Sequence, residues 1–449
     1  MVTRFTRYAS QVSEATPEGR DRYVDLLRAV AIVAVVLGHW MVASVESRED
    51  GRLDGVSILN VAEWIHGLTW LFYVMPIFFL VGGYANAISW QRHRAAGGGW
   101  PAWVHRRSVR LLWPTAVFVG GSVLGVAIAH LVGVDARTID LAGWVAGIAL
   151  WFLVVYLAIA ALTPLTYRLH ERFGLAPTLL MFGALAVGDI ARAVTLDPQW
   201  AIANYAFGWG LFHQVGYWWR DGALPSSTRR ALLVSALGGV VLVGLVVLGP
   251  WPVSMVNVPD VPIQNSSPPS LALLALAVVQ TGIVLAAADR ARAWLRQPVV
   301  WATVVTLNRV ILTLFLWHMV ALVVGAGLLY GTGLLPEPDT LGGAWFAWRP
   351  IWILTLTLIV AGFVAVLGPL EQRAAQPLTA ARQSPLLGGT LVAVGVAVAC
   401  YGLSELTLNG LAGDGPLGIP TLGLASFALG TLMTTLAGRF APQPSRAGA

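Results

Sequence analysis

The chain has 449 residues, 57% of them hydrophobic and 11% charged, against about 25% charged in soluble domains. With a mean hydropathy of +0.71, this composition excludes a soluble enzyme and points to an all-α, polytopic transmembrane bundle. All 28 basic residues are Arg and the net charge is +6, which fits membrane topology rather than nucleic-acid binding. The single cysteine, Cys400, excludes an internal disulfide and a cysteine metal cluster.

Residues 1–20 are polar and lack an apolar core. Ala29 to Gly38 followed by Val42-Ala43-Ser44 imitates a cleavable signal, but cleavage would leave a polytopic remainder, so an uncleaved first span is expected. Apolar runs bounded by Arg clusters or Gly/Pro turns predict about twelve spans, near 25–45, 65–90, 108–132, 143–164, 176–194, 200–219, 231–249, 270–288, 306–330, 350–370, 387–405 and 418–437. A short interfacial piece, Pro298 to Leu307, is expected ahead of the ninth. With the N-terminus inside, 21 Arg fall in cytoplasmic segments and five outside (Arg48, Arg52, Arg137, Arg192, Arg349), with Arg28 and Arg309 unassigned. That asymmetry predicts an N-in, C-in multi-pass protein of the plasma membrane. The expected division is a tail over 1–22, a core over 23–384, additional C-terminal helices over 385–440 and a tail over 441–449. Outside, Glu46–Glu63 and the Pro/Asn/Ser-rich Pro250–Pro269 are the natural places to meet a partner.

Ionisable groups inside a span are costly and are functional candidates by default. In the first span Asp25, Arg28 and His39 interrupt an apolar run. Arg28 and His39 are eleven positions apart, which puts them on one helix face roughly 16 Å apart along the axis. Two readings stand: an interfacial Asp25–Arg28 ion pair with a packing His, or a His base above an Arg anion site. A second cluster, Arg92-His93-Arg94 and His105-Arg106-Arg107 with Arg110, flanks Gly97-Gly98-Gly99. It is either an ordinary positive-inside loop or a polyanion site. In Val74 to Asn86, Gly82 and Gly83 suit close helix packing, and Tyr84 and Asn86 could line a cavity. His318 in Thr313 to Met319 is either a helix–helix hydrogen bonder or a functional group, and His213-Gln214 is a weaker case. Trp151 and Tyr156 suit packing or an interfacial belt, and Asp189 with Arg192 an i,i+3 ion pair. No P-loop, His-Glu-x-x-His, Gly-x-Ser-x-Gly or Asp-rich diphosphate motif occurs. Chemistry built on His and Arg without a metal remains.

Four stretches resemble the membrane-bound acyltransferase 3 family. Val24-Asp25-Leu26-Leu27-Arg28 with ten residues before His39 resembles its first helix, and Phe78-Phe79-Leu80-Val81-Gly82-Gly83-Tyr84 its second. Arg106 to Pro114 resembles its basic entry to helix three, and Leu316-Trp317-His318 its late Tyr-Leu-x-His segment. The likeness runs in order over roughly residues 20–330. Gly82 stands where Ser is common, Tyr156 where some members carry Glu, and the last two spans exceed the usual ten-helix core.

The resemblance implies O-acylation, often O-acetylation, of an extracytoplasmic glycan, cell-wall polymer or glycolipid by cytoplasmic acyl-CoA, with no bound cofactor. It implies that His39 is the catalytic base or, as a variant, a covalent acyl-His, with Arg28 and Asp25 in the same catalytic set. Arg28, Arg106, Arg107 and Arg110 would hold the CoA phosphates, and Gly82, Gly83 and Tyr84 would admit the acyl or pantetheine arm. His318, Trp317, Trp151, Tyr156 and Asn86 would stand behind these. The partners expected are the lipid bilayer, acyl-CoA and the acceptor, and no nucleic acid. The competing reading is a proton-coupled secondary transporter or flippase relaying protons through His39 and His318.

Overall fold

The computed structural model describes residues 2–17, 19–47, 53–259, 261–336, 339–373, 384–413, 415 and 418–440. In chain order, α1 (Val2–Glu14) precedes α2 (Arg22–Val42), which runs into a hairpin of β1 (Ala43–Ser47) and β2 (Leu53–Ser57). Short helices α3 (Ile58–Val61) and α4 (Thr69–Phe72) lead to α5 (Met75–Ala95), α6 (Trp100–Leu131), α7 (Ala136–Gly147) and α8 (Leu150–Phe173). Then come α9 (Ala176–Thr195), α10 (Asn204–Arg220), α11 (Thr228–Leu248), α12 (Leu271–Trp294) and α13 (Pro298–Ala326). The chain closes with α14 (Gly343–Arg373), α15 (Pro385–Asn409) and α16 (Thr421–Ala437). This is the polytopic helical architecture expected from composition.

Every predicted span overlaps helix, although the first runs past Val42 into β1 and the second is broken at Tyr73–Val74. Among the described residues, ten segments rather than twelve are long and apolar enough to cross a membrane. The two exceptions, α10 and α16, have 17 residues each, or about 25 Å against a hydrocarbon core of about 30 Å. Pro198 opens a 3₁₀ turn ahead of α10, and Pro420 is the cap residue of α16. The interfacial piece expected over 298–307 does not exist as a separate element: α13 is continuous and ends in a π-helical segment, Gly327–Gly331. The predicted fourth span is two helices, α7 and α8, and the hairpin of β1 and β2 has no counterpart in the predicted elements. Arg48, Arg52, Arg382 and Arg446, counted for orientation, lie outside the described residues, as does the 441–449 tail.

The chain divides into two compact units, residues 1–35, 62–88 and 165–311, and residues 36–61, 89–164 and 312–449. The division cuts through α2, so Arg28 belongs to the first unit and His39 to the second.

In the first unit the core gathers Tyr23, Leu80, Val81, Trp219, Val284, Leu295 and Trp301. Backbone meets backbone where α5 crosses α10: a Cβ on Gly83 would lie 1.9 Å from the His213 carbonyl oxygen, and one on Gly216 2.3 Å from that of Leu80. The α11–α12 pair is equally close, because a Cβ on Gly282 would sit 2.6 Å from the Ala231 oxygen. The Asp189–Arg192 pair predicted from spacing is present and fully enclosed. Asp189 also accepts from Trp251 Nε1 at 2.8 Å and from the Leu271 amide at 2.7 Å. One buried carboxylate, satisfied from three directions, thus ties α9 to the start of α12.

In the second unit α15 and α16 pack through glycines, with a Cβ on Gly430 falling 2.2 Å from the Ala399 nitrogen. Both helices back α6. His105 Nδ1 lies 2.8 Å from the Thr434 carbonyl oxygen, and a Cβ on Gly438 would meet the His105 ring at 2.5 Å. The C-terminal pair therefore braces the stretch of α6 that carries Arg106, Arg107 and Arg110.

Candidate active site

The last turn of α2 places His39 half-buried, with its Nδ1 2.9 Å from Nε2 of His318 on α13. His318 is completely enclosed, and its Nδ1 is 2.5 Å from the Phe315 carbonyl oxygen one helical turn earlier. The backbone around the pair is tied down by indoles. Trp40 Nε1 donates to the His318 carbonyl at 2.9 Å, and Trp352 Nε1 donates to the Trp40 carbonyl at 2.9 Å. Arg349 also reaches the Trp40 carbonyl, at 3.4 Å, while its guanidinium lies 3.5 Å from the centre of the Trp345 ring.

A row of aromatic rings continues from the histidines. Phe315 lies 5.7 Å from the His318 ring and 5.2 Å from Phe152 in an edge-on contact. Phe152 stacks on Tyr156 at 5.5 Å, and Trp151 meets Phe152 edge-on at 6.3 Å. The Tyr156 hydroxyl accepts from Arg107 Nη2 at 3.3 Å. Trp317 flanks the row against Phe118 and Phe363, pressed so close to α6 that a Cβ on Gly121 would lie 2.8 Å from its ring. His39, His318, Trp317, Trp151, Tyr156 and Arg107, spread over 280 residues of chain, are thereby brought into one contiguous cluster of the second unit.

Among the described residues no carboxylate pairs with Arg106 or Arg107 at the start of α6. Arg106 Nη2 is 2.6 Å from His93 Nδ1, and His93 Nε2 is 2.9 Å from the Gly99 carbonyl oxygen. A carbonyl only accepts, so His93 carries its proton on Nε2 and receives the Arg106 bond on Nδ1. Gly98 is required here, because a Cβ would overlap the His93 ring at 2.0 Å. Arg106 and Arg107 are half-buried and Arg110 is exposed. No ion pair to Arg106 or Arg107 exists among the described residues. Such guanidinium groups are suited to an anionic ligand.

The remaining candidates lie in the first unit and are arranged differently from expectation. Asp25 pairs with Arg28 at 3.4 Å as the spacing predicted, but its nearer partner is Arg20 at 2.7 Å. Tyr84 meets Trp219 in a tilted contact at 4.8 Å and its hydroxyl donates to Asp21 at 3.4 Å. Asn86 donates to His213 Nε2 at 3.0 Å. Gly82 is buried. The expectation that Gly82 and Gly83 open a surface for a pantetheine arm fails at Gly83, where the α10 backbone occupies the space. Gln214 joins His170, at 3.0 Å, and His170 bonds Asp221 at 2.8 Å, with Arg220 on the other carboxylate oxygen at 2.8 Å. Asp221 lies beyond the end of α10. Burial raises its pKa, but the hydrogen bonds and charges of His170 and Arg220 outweigh that and hold it below its ordinary value.

Sequence reasoning missed Phe315, Phe152, Trp40, Trp352 and Arg349. Phe315 was findable, since it lies one turn before His318. The others carry no local signal.

No curated protein and no solved structure matches the chain. The family model described as an acyltransferase domain matches residues 21–370, an interval that takes in the His39–His318 pair, the aromatic row and the arginines of α6. The chain belongs to the acyltransferase 3 family and is a membrane-embedded O-acyltransferase.

Proposed function

We propose that the protein transfers an acyl group, in the first instance acetyl, from cytoplasmic acyl-CoA to a hydroxyl of an extracytoplasmic glycan, cell-wall polymer or glycolipid, with His39 as the catalytic base. The observation that carries this reading is the continuous row from Arg107 through Tyr156, Phe152 and Phe315 to His318 and His39. It joins a cation that no carboxylate among the described residues pairs with to the half-buried His39 through apolar rings, an arrangement suited to a polyanionic donor whose reactive end is uncharged. The Arg distribution, with an N-in orientation, supports placing the arginines of α6 on the donor side.

In this mechanism Arg106, Arg107 and Arg110 hold the CoA phosphates. His39 Nε2 takes the proton of the acceptor hydroxyl as its oxygen attacks the thioester carbonyl. The carbon–sulfur bond breaks, and the same proton passes to the leaving sulfur, so that ester and free CoA form and His39 returns neutral. Arg28, which the family resemblance adds to the donor contacts, is engaged by Asp25 and is tested separately below.

The test is incubation of purified protein with labelled acetyl-CoA and longer acyl-CoAs. CoA release or label transfer in the wild type, lost by at least 10²-fold in His39→Gln with the fold retained, is the expected result. Proton-coupled transport of a solute with no consumption of any thioester would overturn it in favour of a transporter.

A further inference from the structure

Resting on that reading of His39, we propose that His318 is a positioning residue that fixes the tautomer of His39. It keeps the His39 proton on Nδ1, so that the Nε2 lone pair is the one offered to the reacting atoms.

The argument is a count of protons along one chain of hydrogen bonds. The Phe315 carbonyl oxygen, 2.5 Å from His318 Nδ1, can only accept, so His318 Nδ1 carries a hydrogen. A neutral imidazole has one N–H, which leaves His318 Nε2 bare. Facing it at 2.9 Å is His39 Nδ1, and two bare nitrogens would repel. His39 Nδ1 therefore donates, and its Nε2 is unprotonated. The ring geometry agrees. The two centroids are 5.1 Å apart with the planes 20° from parallel, close to the N···N distance plus two ring radii. The rings thus meet edge to edge, and the bond runs in both planes, along the lone pair.

The opposite tautomer would require a doubly protonated His318. That ring is wholly enclosed, and among the described residues no carboxylate pairs with it. An unpaired buried cation there is strongly disfavoured. The surroundings hold the geometry: Trp40 Nε1 on the His318 carbonyl, and Trp352 and Arg349 on the Trp40 carbonyl, keep the last turn of α2 in place beside His318. Of the two residues His318 is wholly enclosed and His39 is half-buried.

When Nε2 takes the acceptor proton, both His39 nitrogens carry hydrogen, and the bond from Nδ1 to His318 becomes charge-assisted and stronger. His318 passes that polarisation through its own N–H to the Phe315 carbonyl and accepts no proton itself. It does for His39 what a carboxylate does for the histidine of a serine protease triad. The same lone pair would attack the thioester in a covalent route, so the inference holds for either.

The test pairs a substrate-free measurement with kinetics. Nitrogen-15 spectra of histidine-labelled protein, with His39 assigned by difference against His39→Gln, should show its proton on Nδ1. In His318→Phe, which keeps an aromatic ring and removes the acceptor, that signature should be lost and kcat should fall by about 10²- to 10⁴-fold with KM for acyl-CoA unchanged. In His318→Gln, whose side-chain carbonyl replaces Nε2 as acceptor, the signature should return and kcat should recover at least tenfold over His318→Phe. His39 protonated on Nε2 in the wild type, or equal losses in the Phe and Gln variants, overturns the proposal. Because the tautomer is read without substrate, a failure of acyl transfer in the wild type would count against the donor assignment alone.

Discussion

Gly83→Ala separates two roles for the glycine pair of α5, and the size of its effect follows from the crossing with α10. The added Cβ would lie 1.9 Å from the His213 carbonyl oxygen and 2.8 Å from its carbon, with the Gly216 Cα at 3.2 Å. These are backbone atoms and cannot swing aside. Restoring ordinary contact means parting the helices by about 1 Å, and overpacking of this kind costs about 1–3 kcal/mol. The Asn86–His213 hydrogen bond, 3.0 Å long on the same crossing, would be stretched as well and adds about 1 kcal/mol. The expected total of about 2–4 kcal/mol should lower the thermal midpoint in detergent by several degrees. KM for acyl-CoA in the fraction still folded should not change. Gly239→Ala is the control: its Cβ would meet nothing within 4 Å, so helix propensity should leave stability equal or slightly higher. An unchanged midpoint for Gly83→Ala together with a raised KM for acyl-CoA would refute the packing argument and restore the surface for a pantetheine arm.

Arg107→Ala should raise KM for acyl-CoA at least tenfold, whereas Tyr156→Phe, which removes one 3.3 Å hydrogen bond and keeps the ring, should change it by about 1 kcal/mol or less in free-energy terms. Initial-rate kinetics with varied donor check both. Arg28→Ala should weaken donor use more than Arg94→Ala, and equal losses would remove Arg28 from the list of specific contacts. The depressed pKa of Asp221 means that its ionised form is favoured by folding. Its contribution is therefore present above the unfolded-state value and is lost as pH falls through the lower folded value. Midpoints measured while acidifying below the usual carboxylate range should fall less steeply for Asp221→Asn than for the wild type, and identical slopes would show that the His170 and Arg220 contacts contribute nothing.

Much of the protein is legible in local pattern. Long apolar runs in a chain with 11% charged residues leave only membrane helices, since lipid offers the backbone no hydrogen-bond partners. The i,i+3 spacing sufficed for Asp189 and Arg192, because a helix fixes the distance between such neighbours whatever surrounds it. The same rule found Asp25 and Arg28 and missed the nearer Arg20, which lies outside the helix and is brought in by the turn before it. Helix lengths were less legible. Where a Pro-led turn or cap shortens α10 or α16, hydropathy continues past the helix end and the window cannot see it.

By itself, then, the sequence determined that the chain is a membrane-embedded helical bundle, identified its acyltransferase family by resemblance, and marked which ionisable residues are candidates. Periodicity assigns each residue to a face of its own helix, and that is local physics. Only the tertiary structure decided what those faces meet: His39 with a histidine 279 positions away, Arg107 with the tyrosine that ends an aromatic row, Gly83 with a helix and not an acyl chain. In a span nearly every surface is apolar, so hydrophobicity does not say which helices touch. Close approach at small residues and a few buried hydrogen bonds do.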